Sequence, residues 1–400
     1  MFNSIVSQKG KTMRAVKTLH QLLISSLVTI HAARVKAVFW AVCALVHGGR
    51  LSLTGIGRSS RGTVMTKHNI KRMDRLLGNK NLRKQAPVFY RAIASLVIGG
   101  QKRPVIAVDW TGIGTKYSAL VAAVPVDGRA IPIFIKVYSY KVNNNTTVEK
   151  WFLRKLKNEI LPPDCRPILV TDAGYRNVWF KAVREMGWDF VGRIMSRAHA
   201  QPTDGKSWES THSIFSRAVY IAKDLGDWIL TKSNPLSVRL VTIKKKPTGR
   251  KSNRVGVKGD QEARLRSKNP WLLATSLALA SAKKIVQIYS VRFQIEESFR
   301  DTKNSRFGWC FRHARSAGNG RLEILLLIAT LGLVTMMVLG QAAERIGLHR
   351  KFQANTVKTK RVLSLFYLGK NILQVGLEKN FSENDYRLSI EELREKILWD

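Results

Sequence analysis

The spacing of hydrophobic and polar positions changes near residue 104 and separates a helical region from a mixed one. Before this point, apolar residues recur at helical spacing over Val16–Val46. A second helical unit follows, in which Leu53–Ile56 and Thr66–Leu77 flank a loop that contains Gly62. Two short helices around a glycine-containing turn fit either a helix-turn-helix DNA reader or a plain helical hairpin with a solvated basic face.

Downstream of residue 104, short apolar runs replace the helical pattern. Val105–Val108 is a run typical of a strand buried on both faces. The next two predicted strands flank Asp127-Gly128, a hairpin turn signal. The full predicted series is strand, strand, strand, helix, strand, helix, strand: Val105–Val108, Tyr117–Val124, Ile131–Tyr138, Thr147–Ile160, Pro167–Thr171, Val178–Met186 and Asp189–Ile194. This order predicts a mixed α/β sheet with a meander at one end.

Residues 195–280 interrupt the alternation with short strand-like segments and turns, which predict a β-rich insertion. This region also contains a basic run: Lys244, Lys245, Lys246, Arg250, Lys251, Arg254 and Lys258. The run fits a loop that follows DNA and a solvated loop equally well. Helical spacing returns over Lys283–Lys303, 321–345 and 356–376.

Two apolar segments could be a signal peptide or a membrane-spanning helix. Leu22–Ile30 follows several basic residues, as in a signal peptide, but charged residues continue the same pattern and favour an amphipathic helix. Ile324–Gly340 has no charged residue, and a membrane-spanning helix needs about 20 apolar residues. We expect a buried core helix there, with a membrane span as the alternative.

The excess of basic residues narrows the classes of partner that the chain can be expected to bind. Lysine and arginine number 68 against 27 acidic residues, a net charge of +41, while the hydrophobic fraction of 45% is that of a folded chain. Small-molecule metabolism does not need such a charge, whereas nucleic acid or an anionic membrane surface does. Cys43, Cys165 and Cys310 match neither a zinc site nor a disulfide framework, and a reducing cytoplasm fits them best.

Two aspartates, Asp109 and Asp172, each follow a predicted buried strand. Ligands and active sites collect at strand ends in open α/β sheets. An aspartate there can also cap the next element or form an Asx turn. If the two strands are neighbours, the carboxylates repel each other unless a cation lies between them. Carboxylate oxygens select Mg²⁺ or Mn²⁺.

A third carboxylate lies in the predicted helix Lys283–Lys303. At about 100° per residue, four of its residues fall within about a 60° arc beside an apolar stripe: Tyr289, Arg292, Glu296 and Lys303. A surface helix with ion pairs explains part of this polar stripe. Glu297 is the rival metal ligand, but it lies about 100° round the helix from Glu296.

These residues resemble the acidic triad and the Tyr-Arg-Glu-Lys motif of the IS-four family of bacterial cut-and-paste transposases, most closely its IS-ten branch. The triad is Asp109, Asp172 and Glu296, and the motif is Tyr289-x2-Arg292-x3-Glu296-x6-Lys303. Other segments with the same resemblance are Thr66–Asn79, Val108–Trp110, Asp172–Gly174, Thr231–Pro235 and Phe352–Val357. The resemblance covers residues 50–375, whereas the first dozen residues and the acidic tail beyond Val375 depart from it.

The resemblance implies an RNase H-like core whose three carboxylates hold two divalent ions, Mg²⁺ or Mn²⁺. One ion would activate the attacking water or 3′-hydroxyl, and the other would stabilise the leaving 3′-oxygen. Tyr289, Arg292 and Lys303 would contact DNA beside the cleavage point, although a solvated helix end is the alternative for Lys303. Trp271 matches a tryptophan that stacks on an everted base, with a core aromatic as the alternative.

The expected organisation has five parts. They are a helical DNA-end-binding domain (1–98), the first part of the RNase H-like core (99–194), the β-rich insertion (195–280), the core completion with the Glu296 helix (281–345) and a helical C-terminal region (346–400). The expected partners are double-stranded DNA, as terminal inverted repeats and as target, and a second copy in a homodimer; no membrane partner is expected. The expected location is the bacterial cytoplasm, at the nucleoid. A non-catalytic DNA-binding or regulatory protein, or a decayed transposase copy, is the alternative.

Overall fold

The computed structural model describes residues 13–195, 198–205, 207–245, 270–354 and 356–397. The chain divides into two compact units. The first is drawn from Met1–Asn145, Arg154–Cys165 and Phe293–Asp400, and the second from Thr146–Leu153 and Arg166–Arg292. The units gather segments that are distant in sequence, whereas the predicted five-part division runs along the chain. That functional division remains a prediction.

The described part of the first unit begins with helices. They are α1 (Arg14–Leu23), α2 (Ala32–Gly48), α3 (Leu53–Ser59), α4 (Thr66–Leu77) and α5 (Lys80–Ile98). Side chains cap three of them, and two of the caps are residue types that favour this position: Ser52 Oγ accepts from Gly55 N–H, and Asn79 Oδ1 accepts from Leu82 N–H at 2.8 Å. Helix α4 has the predicted bounds, Thr66–Leu77. The expectation of an amphipathic helix over Leu22–Ile30 is wrong for most of that segment, because α1 ends at Leu23 and a 3-10 turn covers Ile24–Leu27.

Three strands follow in the first unit: β1 (Val105–Ile113), β2 (Tyr117–Val126) and β3 (Arg129–Ser139). They form an antiparallel meander, as predicted. Asp127 and Gly128 join β2 to β3 with φ values of 49° and 83°. Two consecutive positive φ angles match the right-handed twist of the paired strands, which is why the Asp-Gly pair predicts this turn correctly.

The second unit carries the alternating pattern and the strands beyond it. Its elements are α6 (Thr146–Lys155), β4 (Ile168–Thr171), α7 (Asn177–Glu185), β5 (Asp189–Arg193), β6 (His199–Pro202), β7 (Glu209–Ser210), α8 (Thr211–Phe215), β8 (Lys223–Leu230), β9 (Leu236–Ile243), β10 (Trp271–Thr275) and α9 (Ala282–Ser290). Helix α6 begins in this unit and ends in the first.

The strands of the second unit are ordered β4-β5-β10-β9-β8-β6-β7. Strands β4 and β5 are parallel, and β10 pairs antiparallel with both β5 and β9. The predicted mixed α/β class is therefore confirmed. The strands of residues 195–280 belong to the same sheet as β4 and β5, because β10 connects them through backbone hydrogen bonds.

The remaining helices belong to the first unit. They are α10 (Phe293–Lys303), α11 (Asn319–Arg345), α12 (His349–Phe352), α13 (Leu365–Gln374) and α14 (Glu383–Glu395). The predicted helix over 356–376 is wrong in its first half. There the Gln353 amide donates to the carbonyls of Val357 and Lys360 and accepts from Val362 N–H, so a side chain takes the bonds that a helix would use.

Helix α11 is the core helix of the first unit. Among the described residues it is the single helix long and apolar enough to cross a membrane by length and composition, with a second candidate if α2 and α3, bent by 85°, count as one span. Every residue in its most apolar window is buried inside the protein. The expectation of a buried core helix over Ile324–Gly340 is confirmed.

The acidic C-terminal tail, which departs from the family pattern, forms part of the first unit. Ser382 and Asp385 make a capping box at the start of α14, and Tyr386 and Ile390 are buried along one face of that helix. Arg394 donates to the carbonyl of Leu96 at 2.8 Å. The tail thus packs against the N-terminal helices.

Candidate active site

Asp109 lies inside strand β1 and not after its end, which corrects the sequence prediction. Pairing with β2 continues from Asp109, opposite Val121, to Ile113, opposite Tyr117. What changes at Asp109 is burial, since the four residues before it are buried and those after it are partly exposed. The polar residues therefore mark a strand that emerges toward solvent, with Asp109 at the point of emergence.

The predicted helix Lys283–Lys303 is two helices, α9 and α10, and this is a second correction. Val291 ends α9, and Arg292 N–H bonds to the carbonyl of Tyr289 in a tight turn. A constant 100° per residue holds only along unbroken helix. The angular positions calculated for Tyr289, Arg292, Glu296 and Lys303 on one helix therefore do not apply across the break, and the first two residues belong to the second unit.

Within α10, Glu296 and Lys303 do share a face, because seven residues advance a helix by two turns less about 20°. Glu296 is exposed in the first turn. Lys303 Nζ donates to Thr111 Oγ1 at 2.6 Å. Thr111 and Asp109 are two residues apart on β1 and so project from the same side of the strand. The helix that carries Glu296 is thereby attached to the side of β1 that carries Asp109.

Lys303 is a partly desolvated cation in an electropositive setting. Burial lowers its pKa, Arg312 lowers it further, and Asp109 opposes both effects. Its ammonium lies 5.5 Å from the centroid of the Phe299 ring. Asp109 and Lys303 therefore interact electrostatically within the first unit.

Glu297, the rival ligand, is paired on the outer surface of α10. Arg300 Nη1 donates to Glu297 Oε2 at 2.7 Å across one helical turn. The helix thus points two adjacent glutamates in different directions, and only Glu296 lies on the side shared with Lys303.

Asp172 lies in the second unit, directly after β4 as predicted. Its Oδ1 accepts a hydrogen bond from Gly174 N–H at 2.9 Å. This is the Asx-turn geometry that the sequence allows as an alternative role. The turn uses one of the two carboxylate oxygens, so it does not prevent Asp172 from binding a cation through the other.

Tyr289 interacts electrostatically with both Asp172 and Arg292 within the second unit. Tyr289 is 1% exposed and Arg292 is 6% exposed. Burial raises the pKa of Tyr289. The charges of Arg292 and Arg193 lower this pKa, whereas the charge of Asp172 raises it. These shifts place the Tyr289 hydroxyl in a field set by two arginines and one carboxylate.

Trp271 begins β10 and is 7% exposed. Its ring packs edge-on against Tyr289 with 4.7 Å between the ring centroids. Lys245 Nζ lies 3.6 Å from the centroid of the Trp271 ring, and burial lowers the pKa of this lysine. The ring thus contacts both an aromatic ring and a cation and is nearly fully buried, and its role in stacking on a base stays a prediction. Lys246, Arg250, Lys251, Arg254 and Lys258 of the predicted basic run lie outside the described residues.

The predicted site residues therefore fall into two groups. The first unit contains Asp109, Glu296 and Lys303; the second contains Asp172, Trp271, Tyr289 and Arg292. Across the described residues, no three His, Cys, Asp or Glu side chains form a group that could hold a metal ion.

Sequence reasoning missed two residues that contact this set, Thr111 and Arg193. Thr111 follows Asp109 by two positions, so strand periodicity could have placed it on the same face. Arg193 is the last residue of β5 and acts on Tyr289 through its charge, and a position at the end of a buried strand also drew attention to Asp172. In both cases the signal is the position on the strand and not the residue type.

The N-terminal helix pair has the predicted basic surface. Helix α4 buries Met73, Leu76 and Leu77 and exposes Lys67, Lys71 and Arg75. Gly57 of α3 brings the two helices together, because a Cβ atom there would lie 2.8 Å from Ile70 Cα. This close approach fits a helix-turn-helix and a helical hairpin alike.

Comparison with known proteins assigns the family. The model of the transposase DDE domain matches residues 100–333, which is more than half of the chain and includes all three predicted carboxylates. The chain therefore belongs to the transposase DDE domain family. It is a DNA transposase by family, and the large positive charge suits the binding of DNA phosphates.

Two further comparisons add less. No curated protein matches the sequence. Among solved structures, the cryo-EM structure of a piggyBac transposase synaptic complex with hairpin DNA is similar with a TM-score of 0.40 and 11% identity, over 98% of this chain and 84% of that one. A similarity at this level carries no weight for the site or the reaction.

Proposed function

We propose that this transposase binds the ends of its own element, cleaves them by metal-dependent phosphodiester chemistry and joins the freed 3′-hydroxyl ends to target DNA. Asp109, Asp172 and Glu296 are the proposed catalytic and metal-binding residues. The observation that carries the proposal is the Lys303–Thr111 hydrogen bond, because it attaches the helix of Glu296 to the face of β1 that carries Asp109. The family match supports the reaction class.

The donor set fits the expected metal. Asp109 is partly exposed at the point where β1 emerges, Glu296 is exposed, and Asp172 retains one carboxylate oxygen beyond its turn. Three carboxylates without a histidine or thiolate suit Mg²⁺ or Mn²⁺. Bound there, two such ions would supply charge stabilisation to the attacking and leaving oxygens of an in-line displacement.

The chain's own cations would bind the DNA strand near the cleavage point. Lys303 is held by Thr111 and by the field of Asp109, so its ammonium has a defined position for a phosphate contact. Arg292 and Tyr289 are buried, Asp172 and Arg292 both act on the Tyr289 hydroxyl, and the two side chains would contact the DNA strand. For Trp271 to stack on an everted base, Lys245 must leave its ring.

The finer features of the reaction are also proposed. They are membership of the IS-four family near its IS-ten branch, an RNase H-like core with residues 195–280 as an insertion, a hairpin intermediate, end recognition by residues 1–98 and a homodimer acting in trans at the bacterial nucleoid. The exposed Lys67, Lys71 and Arg75 of α4 support end recognition, because they form a cationic face on a short helix.

The test uses purified full-length protein and a plasmid that carries the DNA flanking its reading frame. Excision is measured with Mg²⁺, Mn²⁺ or chelator for wild type, Glu296→Gln and the control Glu297→Gln. Metal-dependent excision with hairpin ends, lost in Glu296→Gln but retained in Glu297→Gln, supports the proposal. Tight end binding without cleavage in any variant identifies a regulatory protein or a decayed copy and contradicts it.

A further inference from the structure

The turn between β2 and β3 contacts α10 through three consecutive residues. Gly128 N–H donates to Gln294 Oε1 at 3.2 Å, and Ala130 N–H donates to Ser298 Oγ at 2.8 Å. Between them, Arg129 forms a two-point contact with Asp301, through Nε to Oδ2 and through Nη2 to Oδ1. We call Asp127–Ala130 the turn socket. It binds α10 by side-chain and backbone polar groups together.

The residues that bind the turn socket lie opposite Glu296 on the helix. At about 100° per residue, Gln294, Ser298 and Asp301 fall roughly 140° to 200° from Glu296. Ser298 is 2% exposed and Asp301 is 8% exposed, whereas Glu296 is exposed. The turn socket thus contacts one face of α10, and Glu296 lies on the opposite face.

The turn socket is itself held by the C-terminal part of the first unit. Asp127 Oδ2 accepts from Arg361 Nη2 at 2.6 Å and from Lys396 Nζ at 3.0 Å. Both cations also pair with Glu344 at the end of α11, at 3.0 and 3.4 Å. Val126 and Ile397 form a backbone bridge beside them. Lys396 and Ile397 of the acidic tail therefore contact the same turn or the strand that leads into it.

We infer that the turn socket positions Glu296. The Arg129–Asp301 pair fixes the rotation and axial position of α10. The contacts of Asp127 with Arg361 and Lys396 hold the turn in place. The inference rests on the proposed function, in which Glu296 is catalytic. Arg129 and Asp301 do not touch the reacting atoms, so they are positioning residues.

The Arg129–Asp301 pair is largely buried, with side-chain exposures of 16% and 10%, and such a pair suits positioning better than it suits stability. Desolvation offsets most of the attraction between two buried charges, so replacing such a pair with apolar residues is often neutral or stabilising. Misplacement is costly, however, because rotating α10 by one residue would leave both charges buried without each other. The pair thus penalises wrong positions of the helix more than it stabilises the fold.

The experiment compares Asp301→Asn and Arg129→Gln with Arg300→Gln, a control that breaks the exposed ion pair on the outer face of the same helix. Hydrogen exchange of amides 293–303, Mn²⁺ binding, thermal midpoint, DNA binding and cleavage are measured on the full-length protein. In the two socket variants we expect about tenfold faster hydrogen exchange in α10 and about tenfold higher Mn²⁺ concentration for half-maximal cleavage, with DNA binding unchanged. Arg300→Gln should match wild type.

A double variant, Arg129→Met with Asp301→Leu, serves if a single variant fails to fold, because it leaves no unpaired buried charge. It should keep the thermal midpoint and still lose Mn²⁺ affinity. Equal rates of hydrogen exchange in Asp301→Asn and Arg300→Gln would overturn the inference. A double variant whose Mn²⁺ affinity equals that of wild type would also overturn it. If wild type itself never cleaves, the proposed function fails, but the exchange data still decide whether the turn socket holds α10.

Discussion

Lys303 donates a hydrogen bond from Nζ to Thr111 Oγ1 at 2.6 Å, so α10 and β1 are joined at the level of Asp109. The bond orients an ammonium whose pKa is lowered by burial. A cation fixed beside a carboxylate is suited to a phosphate that approaches the same carboxylate. Removing the ammonium or its anchor should therefore impair cleavage.

Lys303→Met should reduce the single-turnover cleavage rate by about 10²–10³, the usual effect of removing one preorganised charge from an active site. Thr111→Val leaves the charge but removes its anchor, so its loss should be about tenfold smaller. Cleavage is measured at saturating DNA, with end binding measured separately. Lys351→Met removes an exposed cation of the same unit and is the control. Equal rates in Lys303→Met and this control would contradict the assigned role.

Asp172 carries two separable roles, the turn with Gly174 and the proposed metal ligand. Asp172→Asn keeps an oxygen that can accept the Gly174 N–H, whereas Asp172→Ala removes it. We expect Asp172→Ala to lower the free energy of unfolding by about 1 kcal/mol relative to Asp172→Asn. Both should abolish cleavage, as measured with Mg²⁺ and with Mn²⁺. Cleavage that survives in Asp172→Asn would restrict this residue to its turn.

How much of this architecture the sequence predicts depends on how local the cause is. The β2–β3 hairpin is predicted because Asp127 and Gly128 tolerate the positive φ values that the turn needs. The break between α9 and α10 is not predicted, since Val291 and Arg292 carry no helix-breaking signal. The contacts that hold α10, from Arg129 and Ala130, come from residues more than 160 positions away in sequence.

In the candidate site, too, local features can be predicted from the sequence and contacts between distant residues cannot. Asp109 and Asp172 are candidates from their strands and Glu296 from its helix face, but only the resemblance selects the three together, and that selection remains a prediction. The contact between Lys303 and Thr111 depends on tertiary packing and could not be read from spacing along one helix. Helix α14 could have been found, because Ser382 and Asp385 have the spacing of a capping box.

Trp271 can be tested as a stacking residue against its alternative as a core residue. Trp271→Leu should lower the stability of the second unit by a few kcal/mol, roughly as other large buried side chains do. If the ring also stacks on an everted base, 2-aminopurine placed beside the cleavage point should be quenched by wild type but not by Trp271→Leu. Trp179→Leu, a change at a fully buried tryptophan of the same unit, should destabilise without altering the quenching. Identical fluorescence in both variants would leave Trp271 a core residue.

DNA binding should weaken steeply with salt, because a chain of charge +41 must neutralise many phosphates. For 6–10 phosphate contacts, affinity falls by roughly 10³–10⁵ between 50 and 200 mM salt. Replacing Lys67, Lys71 and Arg75 with glutamine should reduce the slope of log affinity against log salt by about one for each phosphate that α4 no longer neutralises. The matched control replaces three exposed lysines elsewhere in the first unit: Lys157, Lys351 and Lys379.

The two triple variants carry the same net charge, so any difference between them reports on position and not on total charge. A smaller slope confined to the α4 variant assigns that helix to the DNA surface, as a helix-turn-helix requires. Equal slopes would mean that Lys67, Lys71 and Arg75 form only a solvated face, and α3 and α4 would then be a structural hairpin. A flat salt response in wild type would remove the electrostatic basis for a DNA partner altogether.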